Sequence, residues 1–208
     1  MAKTIVFDFD GTIADSLELV IDIFKKLTGQ TRTLTPAEFD ALRKLPAQKV
    51  MKALGVPMWR APLLVRRGRA AMHNRLNEVG VFAGLPGVLK ELHERGYSLR
   101  IVTSNSDGNV HDFLERHGMR AYFSDIHGGV GLFDKAKVLR KMVKHAAAAQ
   151  DKVFYVGDEA RDIAASKKAG LPIVAVSWGY NHGDLLKDMH PYAVADKPAD
   201  LLKIFPKQ

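Results

Sequence analysis

The sequence of 208 residues contains no cysteine. This absence excludes disulfide bonds, a thiol nucleophile and a metal site built from thiolates, and it fits a reducing compartment. The chain also lacks an apolar run long enough to cross a membrane. Its first residues, MAKTIVFDFDG, do not resemble a signal peptide, because acidic residues follow a very short apolar run. We therefore expect a cytoplasmic protein with no membrane partner.

Acidic residues are also in deficit. The chain has 23 aspartates and glutamates against 31 lysines and arginines, which gives a formal net charge of +8. This charge indicates either a solvated basic surface or the attraction of an anionic substrate. Nucleic acid is the weakest of the three interpretations, because the basic residues are scattered and form no recognisable binding module. The composition, 47% hydrophobic and 26% charged, is that of an ordinary globular protein.

Short apolar runs alternate with amphipathic segments along most of the chain. The strand candidates are KTIVFDF, SLRIVTS (98–104), the weaker AYFSDI (121–126), KVFYVGD (152–158) and LPIVAVSW (171–178). The helix candidates between them are GVLKELHERG, NVHDFLERHG, KAKVLRKMVKHAAAA and ARDIAASKKAG. Nearly continuous apolar runs are typical of strands buried on both faces of a parallel sheet. The pattern predicts an α/β fold with a Rossmann-like open parallel sheet.

Residues 16–80 interrupt this alternation, since they contain no clear strand and several helical patterns. Pro36 suits the first turn of one of these helices. We interpret the segment as an all-helical insertion after the first strand, with hinges near residues 13–17 and 80–87. The predicted core domain then consists of residues 1–15 and 81–208.

Two carboxylates follow the first predicted strand. Asp8 and Asp10 are separated by Phe9, which can point back into the core, and Gly11 allows a sharp turn. Ligands of open α/β sheets bind at the carboxyl ends of the strands. Because adjacent carboxylates repel each other, this pair favours a bound cation.

More carboxylates follow the fourth predicted strand, in the segment GDEARD. Asp158, Glu159 and Asp162 reach the same edge of the sheet as the first pair. An oxygen-rich site of this kind suits a hard cation such as Mg²⁺. Acidic clusters at two strand ends are difficult to explain by folding alone, so they indicate a functional site.

The second strand and the third long helix add further candidates. Thr103, Ser104 and Asn105 offer a hydroxyl group and backbone N–H groups that can bind phosphoryl oxygens, although a helix N-cap is an alternative. Lys135 could neutralise a phosphate or an aspartate, but Lys137 is a rival, and a surface position is the usual fate of a lysine.

Taken together, these residues resemble the haloacid dehalogenase superfamily of phosphohydrolases. DFDGT, a strand ending in Thr103, Lys135 and GDEARD occur in the order of the four family motifs, and the resemblance covers nearly the whole chain. The segments AGLPIVAVSWGY and YAVADKPADLL are similar to the C-terminal part of phosphoglycolate-phosphatase-like members. The first and last motifs are highly specific, whereas the middle two are weak alone.

The resemblance implies a role for each motif residue. Asp8 would attack phosphorus, and Asp10 would protonate the leaving alcohol and then deprotonate the attacking water. Lys135 would balance the charge of Asp8 and of the phosphate. The remaining phosphate-binding residues would be Thr103, Gly11, Ser104 and Asn105.

The resemblance also implies a Mg²⁺ cofactor. Its ligands would be Asp8, the backbone carbonyl of Asp10, and Asp158. Asp162 and Glu159 would support these ligands or hold a coordinated water. The helical insertion would be the small cap of the family, which closes over the site and contacts the leaving group.

Several cap residues have two possible roles. The candidates for substrate contact are Arg43, Lys44, Lys49, Arg66, Arg67 and Arg69, although each is more often a solvated surface residue. We expect Ser16 to cap the first cap helix, and Trp59 and Phe24 to lie in the cap core. None of the eight histidines has metal-site spacing, and we assign none to catalysis.

The expected function is Mg²⁺-dependent hydrolysis of a small phosphate monoester, phosphoglycolate-like or a sugar phosphate, through an aspartyl-phosphate. Asp10 favours phosphoryl transfer, because dehalogenase-type members lack this aspartate. A phosphomutase is an alternative, although Thr12 replaces the valine that mutase-like members often carry. A nucleotide or nucleic-acid-end phosphatase and a non-catalytic binding protein are further alternatives. The partner would be a small phosphorylated metabolite, and the chain would be a monomer or a homodimer.

Overall fold

The structure is a computed structural model that describes residues 3–131, 134–148 and 152–207. Its strands are β1 (Lys3–Phe7), β2 (Ala14–Asp15), β3 (Gly80–Val81), β4 (Ser98–Val102), β5 (Phe123–His127), β6 (Lys152–Gly157), β7 (Ile173–Val176) and β8 (Ala193–Ala195). Its α-helices are α1 (Leu17–Thr28), α2 (Pro36–Arg43), α3 (Ala47–Ala53), α4 (Ala61–His73), α5 (Leu85–Glu94), α6 (Asp107–Arg116), α7 (Lys135–Ala148), α8 (Ala160–Ala169), α9 (Gly183–Asp188) and α10 (Leu201–Ile204). Short 3₁₀ helices lie at Met58–Arg60, Leu76–Glu78, Arg120–Tyr122 and Pro198–Asp200.

The main sheet has six strands in the order β5-β4-β1-β6-β7-β8. Every neighbouring pair in it is parallel. The chain leaves β1 towards β4 and β5 and then crosses to β6 on the other side of β1. The strand order therefore reverses at β1, which is where open α/β sheets bind their ligands. The predicted α/β fold is confirmed.

Both faces of this sheet are covered by helices. Ile5 and Phe7 of β1 belong to one apolar cluster with residues of α5 and α6, whereas Val6 belongs to a second cluster with residues of α7 and α8. Successive strand residues point to opposite faces, so a strand buried on both sides must be apolar throughout. Each fully buried aliphatic side chain contributes about 1.5–3 kcal/mol to this core.

The insertion between β2 and β3 is helical, as predicted, and contains α1 to α4. Its two ends are joined by an antiparallel pairing in which Ala14 lies opposite Val81 and Asp15 opposite Gly80. The sequence predicted only hinges here, because two-residue strands are too short to give a pattern. The division into a core and a cap, residues 16–80, stays a proposal.

Local signals explain some helix ends and fail at others. Helix α2 begins at Pro36, and its N-cap residue Thr35 forms a reciprocal capping box with Glu38 in its first turn. The prediction for Ser16 was wrong, because its side chain makes no capping hydrogen bond to α1. Trp59 was also wrongly assigned to the cap core, since it is 78% exposed. None of the helices in the described ranges is long and apolar enough for a membrane span.

Candidate active site

Asp8 lies directly after β1, at the point where the strand order reverses. Its N–H donates to the carbonyl oxygen of Val156 in β6 at 2.8 Å, which extends the sheet by one residue. The carboxylate is 2% exposed. Oδ1 accepts the N–H of Phe9 at 2.8 Å, and Oδ2 accepts Nζ of Lys135 at 2.8 Å. The sheet and one lysine therefore fix the orientation of this carboxylate.

Lys135 is the first residue of α7 and is 5% exposed. Besides Asp8, its Nζ donates to Oδ1 of Asp162 at 2.7 Å and lies 5.6 Å from the ring centroid of Tyr155. Lys137 is exposed on the same helix. The geometry therefore supports Lys135 over Lys137 as the lysine of the site.

Asp158 follows β6 and is fully buried. Its Oδ1 accepts the hydroxyl of Thr12 at 2.8 Å, and its Oδ2 accepts the N–H of Tyr180 at 2.7 Å. Asp8, Asp158 and Asp162 each place one carboxylate oxygen within 4.8 Å of the others. Three buried carboxylates at this separation can hold a cation, which would also relieve their mutual repulsion.

Gly11 permits the close approach of the first and fourth motifs. Its φ is +78°, and a Cβ at this position would lie 2.2 Å from Oδ2 of Asp158. Gly179 also has no room for a side chain, since a Cβ added there would lie 2.3 Å from the carbonyl oxygen of Gly11. A side chain at either position would displace Asp158, so these glycines are required by the packing of the site.

Asp10 lies further out than Asp8 and is half-buried. Nδ2 of Asn105 donates to its Oδ2 at 3.0 Å, and the hydroxyl of Ser16 donates to its Oδ1 at 3.2 Å. The same hydroxyl lies 2.7 Å from the phenol oxygen of Tyr180. Ser16 therefore contacts the site instead of capping α1, which is the physical reason that the capping prediction failed.

A chain of side-chain hydrogen bonds links Asp10 to the insertion. Asn105 bonds to Asp10, its Oδ1 accepts Nδ2 of Asn109 at 2.8 Å, and Oδ1 of Asn109 contacts Nδ1 of His73 in α4. An amide oxygen only accepts hydrogen bonds, so in this arrangement His73 carries a proton on Nδ1. The position of Asp10 thus depends on residues of both the core and the insertion.

The TSN segment follows β4 and lies beside the loop after β5. The hydroxyl oxygen of Thr103 accepts the N–H of Asn105 at 3.1 Å, and its carbonyl oxygen accepts the N–H of Val130 at 3.1 Å. Thr103 is buried, whereas Ser104 is half-buried. The predicted residues Asp8, Asp10, Gly11, Thr103, Ser104, Asn105, Lys135, Asp158, Glu159 and Asp162 therefore all lie at one edge of the sheet.

Burial shifts the pKa values of the site carboxyls upwards. Burial, and then the charge of Asp162, raise the pKa of Asp8 to about 7, although Lys135 opposes this rise. Burial and the neighbouring Glu159 raise the pKa of Asp158 well above its ordinary value. Burial also raises the pKa of Asp10, against the hydrogen bond from Asn105. In Asp162 the effect of burial is outweighed by Lys135 and Arg161, so its pKa is lowered.

Sequence reasoning missed four residues of the site: Arg161, Tyr180, Asn181 and Ser16. Arg161 lies inside the GDEARD motif and donates from Nε and Nη2 to Oε1 of Glu159, at 2.8 and 2.5 Å. The side-chain oxygen of Asn181 accepts the N–H of Ala160 at 2.8 Å. Tyr180 and Asn181 follow the fifth predicted strand, so a search of every strand end would have found them.

The basic candidates of the insertion have different surroundings. Arg43 donates from Nη2 to the carbonyl oxygen of Gly179 at 2.7 Å and from Nε to that of Tyr180 at 3.1 Å. Arg69 is half-buried, and its Nη2 donates to the carbonyl oxygen of Val130 at 3.4 Å. The exposed candidates are Lys44, Lys49, Arg66 and Arg67.

The fold and the site together define a class of enzyme. A buried aspartate after the first strand, a lysine bonded to it, and an acidic cluster that fits a divalent cation can hold a phosphoryl group against a carboxylate. Such a site lies on an α/β core with a helical insertion, and it can bind a phosphorylated ligand together with a divalent cation.

The comparisons with known proteins identify the family. Residues 5–176 match the family described as haloacid dehalogenase-like hydrolase, and the chain belongs to this family. It is 32% identical to a phosphoglycolate phosphatase of Synechococcus elongatus over 97% of this chain and 96% of the relative. It is 28% identical to a phosphoglycolate phosphatase of Vibrio cholerae, over 97% and 96% of the two chains.

A solved structure shares the fold. A haloacid dehalogenase-like family hydrolase of Streptococcus pneumoniae superposes with a TM-score of 0.77 at 21% identity, over 99% of each chain. The expectations of a haloacid dehalogenase superfamily member similar to phosphoglycolate phosphatases, and of a phosphoric monoester hydrolase, are confirmed.

Proposed function

We propose that this protein is a Mg²⁺-dependent phosphatase that hydrolyses a small phosphate monoester through an aspartyl-phosphate on Asp8. The observation that carries the proposal is the environment of Asp8. Its carboxylate bonds to Lys135 at 2.8 Å and lies beside Asp158 and Asp162 in a buried cluster. A carboxylate and a phosphate dianion repel each other, so attack requires positive charge of the kind that this cluster can collect.

Two displacements complete the reaction. A carboxylate oxygen of Asp8 forms a bond to phosphorus while the bond from phosphorus to the ester oxygen breaks, and Asp10 gives its proton to the departing alcohol. Water then attacks phosphorus, Asp10 takes a proton from it, and the bond to Asp8 breaks to release phosphate. Burial raises the pKa of Asp10, and a shift in this direction is what a general acid requires.

The remaining motif residues would bind and orient the phosphoryl group. Thr103 and the backbone of Ser104 and Asn105 lie at the same edge of the sheet as Asp8, and Gly11 presents its backbone there without a side chain. Lys135 would neutralise both Asp8 and the phosphoryl oxygens. Asp162 would hold Lys135 in place, because its Oδ1 accepts a hydrogen bond from Nζ of Lys135 at 2.7 Å in a buried pair.

The residues present fit a Mg²⁺ ion. Asp8 and Asp158 offer buried carboxylate oxygens, and burial raises the pKa of both, which favours a cation that would compensate their charges. We assign Asp8, Asp158 and the backbone carbonyl of Asp10 as ligands, while Asp162 is engaged by Lys135 and Glu159 by Arg161. When bound, the ion would supply Lewis-acid stabilisation of the charge on the phosphoryl group.

Phosphoglycolate is the substrate that the comparisons favour, since relatives that match almost the full length are phosphoglycolate phosphatases. A sugar phosphate is a related possibility, because both are compact anions. Residues 16–80 would act as the cap, closing over the site and excluding water from the aspartyl-phosphate until the alcohol has left. We retain the assignment of a cytoplasmic monomer or homodimer as a prediction.

Phosphate release from a panel of esters tests the proposal. The panel contains phosphoglycolate, sugar phosphates, nucleotides and an aryl phosphate, each assayed with MgCl₂ and with a chelator. We expect chelator-sensitive release from the wild type and none from Asp8→Asn, whose amide is nearly isosteric but a poor nucleophile. Near-normal release by this variant would overturn the mechanism. Transfer of phosphate to a sugar, in preference to water, would indicate a phosphomutase.

A further inference from the structure

Arg69 is the basic residue of α4 whose guanidinium reaches the seam between insertion and core. Its Nη2 donates to the carbonyl oxygen of Val130, and the N–H of Val130 donates to the carbonyl oxygen of Thr103 at 3.1 Å. Val130 therefore links the guanidinium of Arg69 to Thr103, which belongs to the segment that we propose to bind phosphate. The exposed Arg66 and Arg67 of the same helix have no such contact among the described residues.

The hydrogen-bonding capacity of Arg69 is not filled within the described part of the chain. Nε of Arg69 is shielded from solvent and has no hydrogen-bond partner among the described residues. The hydrogen bond from Nη2 to Val130 is long, at 3.4 Å. No carboxylate of the described residues forms a salt bridge with it. A shielded donor without an acceptor is unfavourable, and more so when it carries a charge. An anion supplied from outside the chain would remove this cost.

A second guanidinium lies close by on the core. Arg161 bonds to Glu159 through Nε and Nη2, which leaves Nη1 for another acceptor. The two arginines are close enough to repel each other: burial and then Arg161 lower the pKa of Arg69, whereas Asp10 raises it. Arg161 also acts on the carboxylates of Asp8 and Asp10. Both guanidiniums therefore lie within electrostatic range of Asp10.

We propose that Arg69 and Arg161 together bind a carboxylate on the leaving alcohol of the substrate. The inference rests on the proposed function, in which Lys135 and Thr103 already serve the phosphoryl group, so the two arginines are available for a second anion. A guanidinium donates two parallel N–H groups, which match the two oxygens of a carboxylate. One arginine comes from the core and one from the insertion, so the full contact forms only with the cap in place.

A matched pair of esters tests this inference. Phosphoglycolate and 2-hydroxyethyl phosphate have the same chain length and differ in a carboxylate against a hydroxymethyl group. The quantity measured is the ratio of their kcat/KM values, which cancels effects common to both substrates. We expect the wild type to favour phosphoglycolate, and Arg69→Gln to lower the ratio at least tenfold. Arg66→Gln and Arg67→Gln, on the exposed side of the same helix, should keep the wild-type ratio.

Two further variants separate charge from geometry. Arg69→Lys retains the charge without the planar fork, so its ratio should lie between those of the wild type and Arg69→Gln. Arg161→Gln should lower the ratio in the same direction as Arg69→Gln. Thermal denaturation checks that each variant is folded. If Arg69→Gln does not fold, the ratio measured for Arg69→Lys tests the inference in its place.

The inference and the proposed function can fail separately. A wild type that releases phosphate from neither ester nor from the wider panel would contradict the proposed function. A wild type that hydrolyses esters but prefers the uncharged member of the pair would overturn the inference alone. Equal losses on both esters in Arg69→Gln would also overturn it, because they would show that Arg69 serves the phosphoryl group.

Discussion

Lys135 is the residue on which the charge balance of the site depends. It is buried, and its ammonium group contacts Asp8 and Asp162 at 2.8 and 2.7 Å. Removing one partner of a buried ion pair costs about 3–5 kcal/mol, because the other charge is left uncompensated. In this site two carboxylates would be left, and Asp8 would hold its proton more tightly, which makes it a poorer nucleophile.

We therefore predict that Lys135→Ala lowers kcat by about 10²–10³-fold, the range found when a donor that stabilises transition-state charge is removed. Lys137→Ala is the matched control, since Lys137 is exposed on the same helix. Its effect on stability should stay within about 0.5 kcal/mol, as for other surface substitutions. Steady-state kinetics on the best ester, with circular dichroism to confirm folding, decides between the two lysines. A larger loss of kcat in Lys137→Ala than in Lys135→Ala would show that Lys137 is the lysine of the site.

For single residues, the sequence predicts a place in the site where the side chain is reactive and directly follows a recognisable strand. Asp8, Asp10 and Asp158 follow strong apolar strands, so their meeting at one sheet edge could be predicted, and the structure places them together. Ser16 and Arg161 could not be assigned in this way. Ser16 occupies a capping position whose side chain instead turns to Asp10, and that choice depends on three-dimensional contacts that no local pattern encodes.

The loop after β7 connects the insertion to Asp158. The N–H of His182 and Nδ2 of Asn181 donate to the carbonyl oxygen of Arg43 at 2.9 and 3.2 Å, while the Arg43 side chain bonds to the carbonyls of Gly179 and Tyr180. The backbone N–H of Tyr180 in turn holds Asp158. One loop thus contacts both the cap and the proposed metal ligand, so displacement of the cap would disturb the site.

We predict that Arg43→Gln weakens the docking of the cap and lowers kcat/KM. Hydrogen bonds from charged donors contribute about 1.5–3 kcal/mol, which corresponds to roughly 10- to 150-fold in rate. Lys44→Gln is the control, because the ion pairs that this adjacent lysine makes with the described residues are exposed, at 3.4 Å, and contribute about 0–1 kcal/mol. Hydrogen exchange should show faster exchange in residues 179–182 of the Arg43 variant. Unchanged exchange and kcat/KM would mean that these contacts do not hold the cap.

The elements that could be predicted from the sequence are those with enough residues to show a pattern. The five strand candidates correspond to β1, β4, β5, β6 and β7, and the all-helical insertion was also anticipated. The missed strands are β2, β3 and β8, which have only two or three residues each. They exist because tertiary contacts bring a partner alongside, as β7 does for β8, and local propensity has little influence on such short pairings.

At the scale of the whole molecule, the acidic cluster opposes folding in the absence of a cation. A folded-state pKa of about 7 for Asp8, against an ordinary value of 3.8, means that the native protein binds more protons than the unfolded chain between these values. Stability from this group is therefore present at low pH and is lost as the pH rises towards 7. Asp10 and Asp158 act in the same direction. Asp162 acts in the opposite direction, because its pKa is lowered, so its contribution to stability is lost on acidification.

Magnesium should reverse this loss, because under the proposed function it would bind the ionised carboxylates and compete with their protons. We predict that Mg²⁺ raises Tm more at pH 8 than at pH 6, and that its binding releases protons. At a concentration of 100 Kd the stabilisation is about 2.7 kcal/mol, or roughly 5–10 °C for a domain of this size. Taking the difference in Tm with and without Mg²⁺ at each pH cancels pH effects that do not depend on the ion. Asp158→Asn should remove most of the Tm increase caused by Mg²⁺. If Mg²⁺ raised the Tm of the wild type no more at pH 8 than at pH 6, the ion would not bind at these carboxylates.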